Sequence, residues 1–217
     1  MTTFPRSPRV LKAGIVLLNP TTSAIDRIIS LQYNPGSLSR SLKAQTIDDA
    51  NRSQALRLKG PPTETFTIEA EIDATDQLEF PDQNPEVVEN GLAPMLAALE
   101  SMVYPKSSDL LSGNSIASAG QLEIIPTDGP LILFIWSKSR IMPVKLTSFS
   151  ITEEAFDPRL NPILAKVSLG MQVLTVNDLG FDNKGGNLYM AYQRQKEQLA
   201  TKFKPGLLNT LGLTNIP

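Results

Sequence analysis

Residues 131–136 are the most apolar stretch of this chain, six consecutive large apolar residues with the sequence LILFIW. A strand with one face in water alternates apolar and polar side chains, whereas this stretch does not alternate. The pattern predicts a strand that is covered on both faces. A short polar break at residues 137–140 leads into a second strand-like run. A sheet built on these strands either closes around one core or continues into neighbouring molecules.

The second run changes the parity of its apolar side chains partway along. Val144 and Leu146 share one parity, whereas Phe149 and Ile151 share the other. Because side chains of a strand have a period of two, such a switch requires an extra residue in the strand. The sequence therefore predicts a β-bulge or a sharp bend near residues 147–148.

Residues 163–176 alternate strictly between apolar and small or polar side chains, and residues 65–73 do the same. At about 3.3 Å per residue the first of these strands spans on the order of 40 Å, which is longer than usual. Long strands with one apolar face and one small, polar face suit the wall of a large barrel or channel. An ordinary β-sandwich whose outer face meets solvent is the alternative that fits the same pattern.

Helical patterns occur twice. Apolar residues recur at helical spacing over residues 84–104, with a break between Gly91 and Pro94. A last helix is predicted over residues 187–203, capped by Asn187. The fold class is therefore mainly β with some α, an α+β protein.

The remaining segments complete the organisation. Strands at residues 13–18 and 27–33 flank the turn signal NPTTS and predict a hairpin. The compositions of residues 34–62 and 106–120 predict loops, and the first is either disordered or ordered by a partner. We expect one β domain over residues 1–180, then a C-terminal helix and apolar tail over residues 181–217.

The chain contains no histidine and no cysteine, which removes disulfides, thiolate and imidazole metal sites, and the usual nucleophile–base pairs. No phosphate-binding glycine loop occurs. The paired acids at residues 48–49 and 153–154 cannot flank one bond if extended, because neighbouring side chains of a strand point to opposite faces. We therefore expect no enzyme, no cofactor and no metal. The N-terminal apolar run is too short for a signal sequence, which predicts a cytoplasmic product.

Charge is strongly partitioned along the chain. Residues 1–60 carry a net charge of +6, residues 61–130 carry −12, and residues 131–217 carry +4. The split favours head-to-tail contacts between copies or a basic face for nucleic acid. No cluster interleaves arginine or lysine with aromatic residues as single-strand binding requires, so nucleic acid is not an expected partner.

Four segments, in this order, resemble the N-terminal tube domain of contractile injection system tube and tube-initiator proteins, the baseplate adaptors of phage-tail-like particles. They are ISLQYNPGSLSRS, ETFTIEAEIDATD, GLAPMLAALESMVYP and PLILFIWSKSRIMPVKLTSFSITEEAFDPRLNPILAKVSLGMQVL. The resemblance covers residues 12–176 and lacks the LysM module that many such proteins carry after this domain. It implies an architectural role for a set of motif positions: Tyr33, Asn34, Pro35, Leu38, Trp136, Arg140, Pro143, Phe156, Asp157, Pro158, Asn161 and Pro162.

The resemblance also implies a tail-tube-like fold of two packed antiparallel sheets and a helix. Six copies would join their edges into one ring-shaped barrel of about twenty-four strands, about 48 Å across between backbones. The implied partners are other copies of the chain and neighbouring tube, spike, hub or baseplate proteins, without membrane insertion. The residues expected at contacts between subunits or rings are charged: Arg40, Lys43, Arg52, Arg57, Glu69 and Glu71. A monomeric β-sandwich that binds a ligand on its polar face is the alternative function.

Overall fold

The computed structural model describes residues 11–46, 57–118 and 129–216. Seven strands form one antiparallel sheet in the order β2-β1-β5-β6-β7-β4-β3. Their bounds are β1 Gly14–Leu18, β2 Ile25–Ser30, β3 Leu38–Lys43, β4 Thr63–Asp73, β5 Leu131–Ser137, β6 Arg140–Phe156 and β7 Pro162–Val173. The expected hairpin of the first two strands and the strand expected at residues 65–73 are therefore confirmed, and the long strand expected at residues 163–176 is present as β7, which ends at Val173.

Helices cover parts of the sheet and its ends. Their bounds are α1 Thr75–Leu78, α2 Pro85–Asn90, α3 Ala93–Glu100, α4 Ser107–Ser118, α5 Val176–Leu179 and α6 Lys184–Ala200, with 3₁₀ turns at Pro81–Gln83 and Leu208–Leu211. The described chain is thus α+β and mostly β, as expected. The predicted break in the first long helix is also confirmed, because Gly91 separates α2 from α3 with a φ of +57°.

The strands form one hydrogen-bonded sheet, so the expectation of two separate sheets is wrong. The sheet instead curls around its core. The ring centroids of Phe66 on β4 and Phe134 on β5 lie 6.1 Å apart although β6 and β7 separate these strands in the sheet. A flat sheet would hold them about 14 Å apart. Gln32, which follows β2, donates to the Asp73 carbonyl and accepts from its N–H, so the segment after edge strand β2 meets the end of β4 across the curl.

A bulge in β6 lies at the predicted position. The register of β6 against β7 shifts between Leu146 and Ser148, and again near residues 153–156. A bulge bends its strand and increases the local twist. We attribute part of the curl to these shifts, since they occur in the strand that joins the two halves of the sheet.

Strand β5 is covered on both faces, as its unbroken apolar sequence predicts. Ile132 and Phe134 belong to the main core, whereas Leu133 packs with Val16 and Leu18 in a smaller cluster on the other face. Leu188 of α6 covers that smaller cluster. The last helix is therefore part of the packing of the β domain.

Two sequence predictions about loops and one about a helix are corrected. Within the expected loop at residues 106–120, residues 107–118 form helix α4, because serine is only modestly worse than alanine in a helix and a serine-rich stretch does not exclude one. The Ser112 hydroxyl donates to the Ser108 carbonyl at 2.6 Å. Helix α6 begins at Lys184, because Asn183 and not Asn187 accepts the capping bond, from the Gly185 N–H at 2.8 Å. Within the expected loop at residues 34–62, residues 38–43 form strand β3.

Candidate subunit interface

One face of four neighbouring strands is a broad polar surface, here called the polar wall. It consists of the outward side chains of β3, β4, β7 and β6, while the opposite side chains of β4 and β7 are buried in the core. The register aligns its members in rows across the strands: Ser41, Thr65, Gln172 and Lys145; Ser39, Thr67, Gly170 and Ser148; Glu69, Ser168 and Ser150; Glu71, Lys166 and Thr152. Most of these side chains are small hydroxyl groups.

Each side of the polar wall ends in a free strand edge. Strand β5 pairs with β6 only as far as Val144, so residues 145–156 of β6 have no partner on that side within the described ranges. On the far side, β3 pairs with β4 and has no second partner among the described residues. Unpaired N–H and C=O groups in such edges are ready to pair with another strand.

The β6 bulge places Thr147 and Ser148 together on the polar wall. Opposite them lies Gly170, where an added Cβ would overlap the Ser148 hydroxyl and approach the Thr147 hydroxyl to 3.1 Å. The absence of a side chain at Gly170 therefore leaves room for both Thr147 and Ser148 on the same face of the sheet. The wall keeps its polar surface through the bulge.

The motif residues at the turn from β6 to β7 build a rigid connection. The Asp157 carboxylate accepts bonds from the Arg159 N–H at 2.7 Å, the Asn161 N–H at 2.8 Å and the Asn161 amide at 2.9 Å. Desolvation acts to raise the pKa of Asp157, but the hydrogen bonds from Asn161 and Arg159 outweigh it and hold this pKa below its usual value. The same Asn161 amide donates to the Glu89 carbonyl at 2.9 Å, which fastens the turn to α2.

The motif residues before β3 fasten residues 11–13, which lead into β1, to the segment between β2 and β3. The Asn34 side chain accepts from the Ala13 N–H at 2.9 Å and donates to the Leu11 carbonyl at 2.7 Å. Tyr33 and Pro35 flank it in a pocket of about 380 Å³ that also contains Glu69 and Glu71. Burial and the neighbouring carboxylates Asp76, Asp73 and Glu71 raise the pKa of Tyr33.

The other motif residues lie along the sheet. Trp136 stacks at a tilt on Phe134 with centroids 6.1 Å apart, and Arg140 pairs with Ser137 at the β5–β6 turn. Pro143 is buried where the β6–β7 ladder ends, and its carbonyl accepts from the Leu174 N–H at 2.8 Å. The rest are Leu38 at the start of β3, Phe156 at the end of β6, Pro158 in the turn and Pro162 at the start of β7.

A buried carboxylate that sequence reasoning missed holds the wall to helix α6. Glu64 is 2% exposed and lies 3.1 Å from the Arg40 guanidinium, 3.1 Å from the Lys196 ammonium and 2.8 Å from the Tyr192 hydroxyl. These four residues are called the Glu64 cluster. Glu64 shares its parity with Phe66 and the other core residues of β4, and that parity is the sequence signal that predicts its burial.

The expected contact residues fall at several places. Arg40 is engaged in the Glu64 cluster, and Glu69 and Glu71 lie exposed on the polar wall. Lys43 ends β3, and Arg57 lies next to Leu58, which bridges to Thr46. Arg52 lies outside the described residues.

Two further properties concern the described residues as a set. None of their helices is both long and apolar enough to cross a membrane. Their carboxylates nowhere gather in the groups of three or more that could hold a metal ion.

The Glu64 cluster makes the stability of the protein sensitive to alkali. Burial and the hydrogen bond to Glu64 raise the pKa of Tyr192 far above its ordinary value. Above about pH 10 the unfolded chain releases this proton while the folded chain keeps it, so the free energy of unfolding should fall as pH rises. Urea unfolding between about pH 9 and pH 11 should show a shallower fall for Tyr192→Phe than for the wild type, by up to about 1.4 kcal/mol per pH unit. Parallel curves would contradict this role of Tyr192.

Comparison with known proteins gives little further information. No protein-family model and no curated protein matches the chain. Among solved structures, the chain is similar to the tail of an empty GTA particle computed with helical refinement and C6 symmetry, at a TM-score of 0.29 and 14% identity over 75% of this chain and 90% of that one. A likeness at this level assigns neither a fold nor a function.

Proposed function

We propose that this chain is a structural, non-enzymatic subunit of a contractile, phage-tail-like injection particle. Six copies would close into a baseplate or tube-initiator ring that joins the spike or hub to the inner tube. The observation that carries the proposal is the polar wall with a free strand edge on each side. The type of particle and the number of six copies are inferred from the resemblance of the sequence to tube and tube-initiator proteins.

Strand direction supports closure of the wall between copies. Neighbouring strands of the wall, in the order β6, β7, β4 and β3, alternate in direction. If the next copy has the same orientation, β3 of one copy therefore runs antiparallel to β6 of the next. The 145–156 edge of β6 is longer than β3, and it can therefore accept the whole of β3. Because one edge meets a different edge, the contact is head-to-tail and generates a ring when the rotation closes.

The composition of the polar wall suits the inside of such a ring. In a ring of six copies the four strands give about twenty-four in all and a width of about 48 Å between backbones. Hydroxyl and amide side chains would line the water-filled interior, while the apolar side chains stay in each subunit's own core. Closure also removes the edges that would otherwise aggregate.

The distribution of charge along the wall supports rings that stack in one direction, with unlike ends in contact. The acidic Glu69, Glu71 and Glu154 lie toward the end of the wall that carries the β6–β7 turn, where Lys166 pairs with Glu154 at 2.8 Å, whereas Lys43 and Lys145 lie toward the opposite end. Stacked rings would bring acidic and basic ends together. Such complementarity sets orientation and rate more than affinity.

The described residues also favour a structural role over catalysis. The buried carboxylate Glu64 is fully engaged by two cations and a phenol, so it is not available as an acid or base. The carboxylates on the polar wall itself are exposed.

Cross-linking tests the edge contact directly, because the chain has no native cysteine. A chain with Ser41→Cys on β3 and Ser150→Cys on β6 is concentrated and treated with a short bismaleimide. We expect a ladder of covalent products that stops at six subunits, since a closed ring leaves no free end. The control carries Ser30→Cys with Ser150→Cys, because Ser30 lies on β2 at the other edge of the sheet.

Two outcomes would contradict the proposal. An equal ladder from the Ser30 control would mean that copies do not pair through β3. A wild-type chain that stays monomeric when concentrated, together with no ladder from the chain that carries Ser41→Cys and Ser150→Cys, would favour the alternative, a monomeric module that binds a ligand on the polar wall.

A further inference from the structure

The C-terminal tail, residues 203–216, presents an apolar surface with little cover. Its large apolar side chains are 40% to 76% exposed: Phe203, Leu207, Leu208, Leu211, Leu213 and Ile216. The only charged side chains from residue 198 to residue 216 are Lys202 and Lys204. Apolar groups concentrated in this way on a surface commonly mark a site of interaction with another molecule.

A groove on another part of the protein has matching properties. It has a volume of about 760 Å³ and lies between the β1–β2 turn, the end of α3 and the start of α4. Its floor includes Met102, and Val103 and Tyr104 line it while they are 48% and 69% exposed. A cavity of this size is large enough to take several side chains.

The charges of the groove complement those of the tail. Three carboxylates line the groove, those of Asp26, Glu100 and Asp109, against the two cations Arg27 and Lys106. Of these cations, Arg27 already donates to the Ser101 hydroxyl at 3.1 Å. The groove thus has a net negative charge, and the start of the tail has a positive one.

The groove and the tail of one chain lie at opposite ends of helix α6. The helix begins beside Leu131, which follows groove residue Pro130, and it continues for 17 residues, about 25 Å, past the Glu64 cluster on β4. Residues 201–203 stay bonded to the end of that helix through their N–H groups. The remaining linker, residues 204–207, spans at most about 14 Å.

We infer that the C-terminal tail of one copy docks in the α3–α4 groove of a second copy, with Leu207 and Leu211 as anchors and the lysines near the acidic rim. The contact is separate from the pairing of β3 with β6, and it would tie copies together even where their strand edges do not meet. A tail and a groove at separate places on the chain produce a head-to-tail contact.

The experiment uses full-length chains with single cysteines, Ala97→Cys in the groove and Thr214→Cys in the tail. Both side chains are exposed, so the fold tolerates the changes. The two proteins are mixed in equal amounts and treated with a short bismaleimide. We expect a heterodimer whose yield exceeds that of either protein alone, and we expect Leu207→Ser with Leu211→Ser in the tail to lower this yield by about tenfold or more.

A matched tail variant controls for general disturbance. Asn209→Ser with Thr210→Ser changes polar positions of the same turn and should leave the yield unchanged. Val103→Ser with Tyr104→Ser should lower the yield from the groove side. The inference is overturned if no heterodimer forms, if the control lowers the yield as much as the leucine variant, or if a chain with both cysteines links only within itself. The Ser41–Ser150 ladder measures edge pairing independently, so failure of one contact is distinguishable from failure of the other.

Discussion

Replacement of Gly186 by alanine should destabilise the protein by about 3 kcal/mol or more. Gly186 lies in the first turn of α6, where an added Cβ would overlap the carbonyl oxygen of Gly180. That neighbour is backbone, so relief requires a shift of the helix or of the loop before it. Alanine's better helix propensity offsets only about 1 kcal/mol of this cost. Thermal unfolding should show a midpoint lower by about 10 °C.

Gly206→Ala is the matched control for this variant. The nearest atom to an added Cβ there is the Thr210 hydroxyl oxygen at 3.9 Å, which is an ordinary contact. The midpoint of Gly206→Ala should therefore stay close to that of the wild type. Equal midpoints for the two variants would contradict the close packing of α6 on the residues before it.

Glu64→Gln should lower the free energy of unfolding by about 2 kcal/mol. The amide keeps the size of the side chain and one hydrogen bond to Tyr192, but it leaves Arg40 and Lys196 without a counterion. Removing one member of a buried ion pair can cost more than this. We expect a smaller loss, because the two cationic side chains are each 33% exposed and solvent offsets part of the cost. Urea unfolding at neutral pH measures the difference.

Glu69→Gln provides the comparison for Glu64→Gln, since it makes the same change on the exposed face of the same strand. Its effect on the free energy of unfolding should be within about 0.5 kcal/mol of zero.

Hydrogen exchange gives a second test of the Glu64 cluster, because Arg40 connects edge strand β3 to Glu64. Amide hydrogen exchange of β3 should be faster in Glu64→Gln and unchanged in Glu69→Gln. If both variants leave β3 equally protected, the Glu64 cluster does not hold that edge.

Parts of the fold that depend on side-chain period could be predicted from the sequence. The parity switch around residues 147–148 predicts the β6 bulge, and the unbroken apolar run at residues 131–136 predicts a strand with two covered faces. Both signals are local, because each follows from which face of a strand a residue occupies. Gly91 and Pro94 likewise mark the break between α2 and α3.

Other parts of the fold depend on contacts between segments that are far apart in the sequence, and no local sequence pattern predicts these contacts. Whether the strands form one curled sheet or two sheets is decided by the backbone pairing of β6, which bonds to β5 over its first part and to β7 along most of its length. The sequence predicts a loop where β3 forms, because this edge strand has one partner, mostly exposed side chains and only Leu38 and Leu42 as apolar residues. The partners of Glu64 come from residues 24 positions before it and about 130 positions after it, so only its parity could indicate burial.

The candidate interface likewise combines features that local sequence patterns predict with features that depend on distant contacts. The alternation of β4 and β7 predicts a small, polar face, and the register gathers that face into the polar wall. That copies join through strand edges is implied by the family resemblance, but the positions of the free edges could not be predicted, because they depend on where β5 stops pairing with β6.

Imaging of the assembled protein in cross-section at a resolution that separates strands tests the central claim most directly. The account predicts a closed annulus with a continuous antiparallel wall, in which each subunit contributes β6, β7, β4 and β3, and β3 pairs with residues 145–156 of the next subunit. An assembly whose copies meet through other surfaces, with the edges of β3 and β6 left in solvent, would contradict it.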